Sequence, residues 1–231
     1  MRSIGLLFKV LWFPAEAMSL IARNPCAGFP VCLLIVSSLI SGAVVLTKLP
    51  DLPLQAIERS PQGSSFSDEA KERLRQEMDS PAAWIFTMVF SGLRPVVQLL
   101  LVSGIYFLIF TILGRQGSFK AFFSITACSF VPAVFRQIVV VLSAFLVPSS
   151  SIIPDELGSL SPAVFLDRDS VPPTLFMAIN MIDVVSIWTL SLMVIGFAFV
   201  TRKNVSRAAR AGVVFGVFLV YAVLRTLIRT I

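Results

Sequence analysis

Four stretches of this chain run for about twenty residues or more with few charges: Phe29 to Leu49, Ala121 to Val147, Thr174 to Val200 and Ala208 to Ile228. Each is long enough to cross a hydrocarbon core of about 30 Å as an α-helix. A fifth, Ala82 to Leu113, is long enough but is interrupted by Arg94-Pro95. The mean hydropathy of +0.88 agrees, since no soluble domain tolerates so apolar a surface. The chain therefore reads as an all-α integral membrane bundle of five transmembrane helices, a single domain over 1–231. A leader covers 1–28, the spans lie at about 29–49, 84–113, 121–147, 174–200 and 208–228, and outer loops cover 50–83 and 148–173.

The charges around these runs give an orientation. The two short connections, "GRQGSFK" and "TRKNVSRAAR", are basic and hold no acid. Short basic loops mark the cytoplasmic side. Most acids, among them Asp51, Asp68, Glu69, Asp155 and Glu156, then fall on the opposite side. The N-terminus is expected inside and the C-terminus outside. The net charge of +6 does not signal nucleic acid, because the basic residues flank apolar runs instead of forming a water-facing patch. Cys26, Cys32 and Cys128 fall in the cytoplasmic half, where thiols stay reduced, and are expected to be buried spectators.

The leader "SIGLLFKVLWFPAEAMSLIAR" is too short and too interrupted to span, and no cleavage is expected in it. Leu6, Leu7, Val10 and Leu11 share one face and Pro14 splits the segment. It reads as an interfacial helix pair with Trp12 and Phe13 at headgroup depth, or as a helix packed on the bundle. In the first outer loop, Ser67 is a candidate N-cap, Glu69/Arg73 and Arg73/Glu77 are spaced i,i+4, and Ala70, Leu74 and Met78 share a face. A short extracytoplasmic amphipathic helix is expected there, ended by Pro81.

The chain has no histidine. That removes Ser-His-Asp and Cys-His catalysis and the usual zinc and haem ligand sets. No phosphate-cradling glycine motif occurs. The paired acids of "PDEL" and "DRD" lack the apolar neighbours that tune a carboxyl for acid/base work. No cofactor, metal site or enzymatic activity is expected.

Two charges stand inside apolar runs. An ionised side chain at a helix centre costs about 3 kcal/mol on insertion scales, so it usually faces protein and finds a partner. Counted from the outer boundary at 1.5 Å per residue, Asp183 is about 13 Å deep and Arg136 about 16 Å. An Arg136–Asp183 ion pair is expected, with Gln137 and Asn180 supplying further hydrogen bonds, either as a structural clamp or as a proton or substrate site. Arg94 is expected near the outer end of its span, snorkelling to the headgroups. In the last span, Ala208, Gly212 and Gly216 recur every four residues. Such a stripe allows close helix packing, against another span of the same chain or in a homo-oligomer.

Three stretches together resemble the bacterial branch of the Yip family, the Ypt/Rab-interacting membrane proteins with a Yip-one domain. "WFPAEAMSLIARNPCAGFPVCLLIV" is similar to the family's entry segment, with Pro14, Glu16, Asn24 and Pro25 at its marked positions. "LGRQGSFKAFFSITACSFVPAVF" is similar to its Gly-Ser-Phe-Lys connection, here Gly117, Ser118, Phe119 and Lys120, followed by a break at Pro132. "MIDVVSIWTLSLMVIGFAFVTRKNVSRAARAGVV" is similar to its Asp-x-x-Ser-x-Trp span, here Asp183, Ser186 and Trp188. The resemblance implies five spans, a cytoplasmic N-terminus and a place in the bacterial cytoplasmic membrane. Eukaryotic relatives bind Rab-type GTPases through a long N-terminal region. This chain has only about 28 residues before its first span, so that activity is not carried over. The expected role is a non-enzymatic scaffold or adaptor for membrane lipids or other membrane proteins. The alternative is a small-solute or lipid transporter using the intramembrane charges.

Overall fold

A computed structural model describes residues 2–52, 54–55, 67–78, 80–148, 152, 157–166, 171–202 and 205–230. The helices are α1 (Arg2–Trp12), α2 (Pro14–Arg23), α3 (Gly28–Lys48), α4 (Asp68–Met78), α5 (Pro81–Leu113), α6 (Phe119–Ser129), α7 (Ala133–Leu146), α8 (Pro173–Met181), α9 (Val184–Phe197) and α10 (Arg207–Thr230). No strand occurs among the described residues apart from one isolated bridge between Arg115 and Thr201. Four segments are long and apolar enough to cross a membrane: Gly28–Lys48, Pro81–Leu113, Phe119–Leu146 and Arg207–Thr226. Val184–Phe197 is a shorter apolar helix.

Two expected spans are broken. In the third, α6 ends at Ser129 and the chain tightens into i→i−3 bonds from Ala133, Val134 and Phe135 before α7 continues. Pro132 has no N–H to donate there and restricts the residue before it. In the fourth, the apolar run from Thr174 to Val200 is two helices, α8 and α9, parted at Ile182 and Asp183. The carboxylate of Asp183 accepts from Ser186 N–H, so it starts a new helix where hydropathy alone implies one continuous span.

The largest core lies at the end of the bundle that holds the leader and the two short connections. Met18 and Ile21 of α2, Tyr106 and Phe110 of α5, Phe122 and Ile125 of α6 and Met193 and Phe197 of α9 are buried together. The leader is thus packed on the bundle: Ala17, Met18 and Ile21 face inward, while Phe8, Trp12 and Phe13 stay exposed. Lys9 Nζ donates to Glu16 Oε1 at 2.6 Å, tying α1 to α2. A second cluster joins Leu34, Leu99 and Ala127, and a third, at the other end, joins Leu49, Leu52 and Ile152. In α4, Ala70, Leu74 and Met78 are half-buried. Arg75 of that helix donates to Asp51 at 3.0 Å.

Arg94 is exposed. It sits within α5 about one turn past Ser91, whose carbonyl accepts from Ser38 Oγ at 2.8 Å near the middle of α3. Helix α5 begins at Pro81, capped by Ser80, one residue before Ala82, where the expected run starts. Cys26 and Cys32 are exposed and only Cys128 is buried, because at the start of α3 the inward positions are taken by Ala27, Pro30 and Val31.

The two short connections pair with each other. Gly114 ends α5 at φ +117°, and Arg202 N–H donates to its carbonyl at 2.9 Å. Gln116 and Gly117 N–H both donate to Val200 O, at 2.8 and 3.0 Å. A Cβ at Gly117 would lie 2.7 Å from Val200 Cβ. Gly117→Ala is therefore expected to cost about 1–3 kcal/mol through overpacking. Melting in detergent measures it, and an unshifted midpoint would mean the connections separate without consequence.

Candidate functional site

The two helix breaks meet. Pro132 places Arg136 in the first turn of α7, and the helix break at Ile182 places Asp183 at the start of α9. Arg136 Nη2 donates to Asp183 Oδ2. The same Nη2 lies 3.3 Å from Ser186 Oγ. Oδ1 of Asp183 accepts from Ser186 N–H at 2.6 Å. One carboxylate thus caps a helix with one oxygen and holds a cation with the other. The positive end of α9 adds to its stabilisation. The Asp183 side chain is 7% exposed and that of Arg136 is 37% exposed, so the anion is enclosed and the cation reaches toward the surface along its stem.

Gln137 and Asn180 do not supply the extra bonds to this pair. Gln137 Oε1 instead accepts from Ser41 Oγ at 2.6 Å, joining α7 to α3. Asn180 Oδ1 accepts from Ser159 Oγ at 2.6 Å and from Ser161 Oγ at 2.9 Å, joining α8 to the outer loop. Equal depth put these side chains near the pair in sequence, but each points around its helix to another neighbour. Ser186 takes their place, and its signal was its position three residues after an aspartate, an N-cap followed by its N3 residue. Gly158 closes the outer side, where a Cβ would lie 3.4 Å from Arg136 Cγ.

The remaining motif residues have structural places. Pro14 opens α2, Glu16 pairs with Lys9, and Asn24 ends α2 with Pro25 following. Gly117 allows the close approach to Val200, and Ser118 caps α6 by accepting from Ala121 N–H at 3.4 Å. Phe119 meets Phe107 edge-on at 5.6 Å, and Lys120 is exposed. Trp188 stacks on Phe135 at 5.9 Å, fastening α9 to α7 one turn from the ion pair. The stripe of Ala208, Gly212 and Gly216 does not close onto another span. A Cβ at either glycine would meet nothing within 4 Å, because α10 stands off from α5 along that face. Among the described residues no group of three or more His, Cys, Asp or Glu is placed to hold a metal ion.

A family model of the Yip1 domain matches residues 8–226. No curated protein and no solved structure matches the chain.

Proposed function

Because the chain belongs to the Yip1 domain family, we propose that it is a non-enzymatic protein of the bacterial cytoplasmic membrane that organises other membrane proteins or lipids through its helix faces. One observation carries this reading: both oxygens of Asp183 are engaged by the chain itself, one by Ser186 N–H and one by Arg136. A polar centre satisfied internally acts as a clamp on helix order.

The arrangement of the connections supports five crossings. Since residues 114–117 and 200–202 hydrogen-bond to each other, the chain leaves that end through α6 and α7 and returns through α8 and α9. Two crossings there, with α3, α5 and α10, make five. The acid-free basic connections favour the cytoplasm for that end, with the leader inside and the C-terminus outside.

A second reading, a transporter for a small solute or lipid, draws on the two interrupted helices, since broken helices at one level often line a substrate site. Water access separates the two. In a chain with Cys26, Cys32 and Cys128 replaced, single cysteines at Gln137, Asn180 and Ser186 leave both charges of the pair in place. In intact membranes these thiols are expected to stay unlabelled by an impermeant, water-requiring reagent. Labelling at all three would replace the clamp with an aqueous path.

A further inference from the structure

The start of α10 holds an arginine that the rest of the molecule leaves incompletely satisfied. Ser206 caps the helix, its Oγ accepting from Ala209 N–H at 3.1 Å. Arg210 folds back over that same end, with Nη1 donating to Val205 O at 2.6 Å. The residue is only 8% exposed. Its Nε is buried without an acceptor, and among the described residues no carboxylate pairs with it. A buried cation without a counter-charge is unfavourable. A helix start adds partial positive charge and free N–H groups, the setting in which anions bind. The connection leading to it carries Arg202, Lys203 and Arg207 and no acid.

Just beyond, the molecule offers an apolar channel open to the bilayer. Val213 and Val217 of α10, three and seven positions on from Arg210, line with Ile105 and Ile109 of α5 a groove of about 490 Å³. Gly212 and Gly216 leave it open, since a Cβ at either meets nothing within 4 Å. Gly212 lies about 7.5 Å along the axis from Arg207, and the lining runs about 18 Å further, to Leu224. That distance slightly exceeds one leaflet's share of a ~30 Å core.

We propose that this end of α10 binds an anionic glycerophospholipid, its phosphate at the helix start beside Arg210 and Arg207, and one acyl chain along the groove between α5 and α10. The guanidinium and the basic connection select negative charge over a zwitterionic headgroup. The groove selects a lipid over a free phosphate, because apart from Tyr221 its walls are aliphatic side chains and glycine. The site stands independently of whether the Arg136–Asp183 centre is a clamp or a path.

Native mass spectrometry of the full chain in detergent, with dioleoylphosphatidylglycerol and dioleoylphosphatidylcholine in competition, tests it. The anionic lipid is expected to be retained about fivefold better, the effect of roughly one cation at a membrane surface. Arg210→Gln is expected to abolish the preference. Gly216→Leu, whose Cβ meets nothing within 4 Å and whose longer side chain occupies the groove, is expected to weaken retention of both lipids. Equal retention by the unaltered protein, or a preference that survives Arg210→Gln, overturns the proposal. Should Arg210→Gln not fold, Arg207→Gln and Gly216→Leu decide, and an unchanged lipid profile in both overturns it. Inorganic phosphate at equal concentration is expected to displace no lipid. Displacement would transfer the site to a soluble phosphate-bearing ligand and overturn the assignment to lipid.

Discussion

Asp183→Ala is expected to lower the unfolding free energy by about 2–3 kcal/mol, below the range for a fully buried pair because the Arg136 side chain is 37% exposed. The loss has two sources, because the carboxylate does two things. It accepts from Ser186 N–H at the start of α9 and from the guanidinium of Arg136. Without it, a helix within the bundle begins with an unsatisfied N–H and a cation is left unpaired at the break before α7. Asp183→Asn separates the two contributions, since asparagine caps a helix about as well as aspartate does. It is expected to retain about 1 kcal/mol that alanine loses. Arg136→Met combined with Asp183→Asn removes both charges together and is expected to be more stable than Asp183→Asn alone. Titration with a denaturing detergent, followed by the loss of helical signal, supplies these values together with that of Arg136→Met alone, which completes the cycle. An alanine variant within about 1 kcal/mol of the parent, or strictly additive effects in the double variant, would show that the pair does not hold the breaks together.

Phe197→Ala should cost more, about 3–5 kcal/mol, for a different reason. Its ring is completely buried and lies 5.2 Å from Tyr106, 5.5 Å from Phe110 and 5.2 Å from Phe122. These neighbours belong to α5 and α6, so one side chain of α9 fills the space between three helices. In a bilayer the gain from burying it comes mainly from close packing, because lipid tails are as apolar as the core. A void there forfeits contacts that no relaxation of a helix backbone readily restores. Phe197→Leu is expected to fall between the parent and alanine. Ile112→Ala, at a position 87% exposed, serves as the comparison and is expected to change stability by less than about 0.5 kcal/mol. Equal losses at Phe197 and Ile112 would mean that the aromatic cluster packs no better than the lipid-facing surface.

The ion pair was legible because charge is costly in an apolar run and depth along a helix can be counted. Its surroundings were less so. Gln137 and Asn180 stand at nearly the right level, but level says nothing about direction around the helix, and their bonds go to Ser41 and to Ser159 and Ser161. The division of the fourth run escaped because hydropathy sums side chains over a window, whereas a cap is made by one side chain and one backbone N–H. The letters Asp-x-x-Ser held that information within a segment that otherwise reads as continuous. The leader's pattern fitted both lipid and protein, and only the packing shows which face goes where: Met18 and Ile21 enter the core while Phe8, Trp12 and Phe13 stay exposed. Exposure of Cys26 and Cys32 likewise depends on which neighbours reach the start of α3.

Helices α3 and α5 run side by side, joined where Ser38 meets Ser91, yet they differ greatly in length. With 21 residues α3 measures about 32 Å, which matches a ~30 Å hydrocarbon core. With 33 residues α5 measures about 50 Å. Tilting cannot absorb such a difference in one member of a packed pair without taking the other along. Lipids around α5, beside Leu108 and Ile112 on one stretch and Phe86 and Phe90 on another, therefore face a taller apolar wall than lipids around α3. Accommodating it costs fractions of a kcal/mol per Å of mismatch. Helix α5 thus outreaches α3 by 12 residues, or about 18 Å, and its exposed side, largely apolar and charged only at Arg94, sets a different height of protein on one flank of the molecule from that on the other.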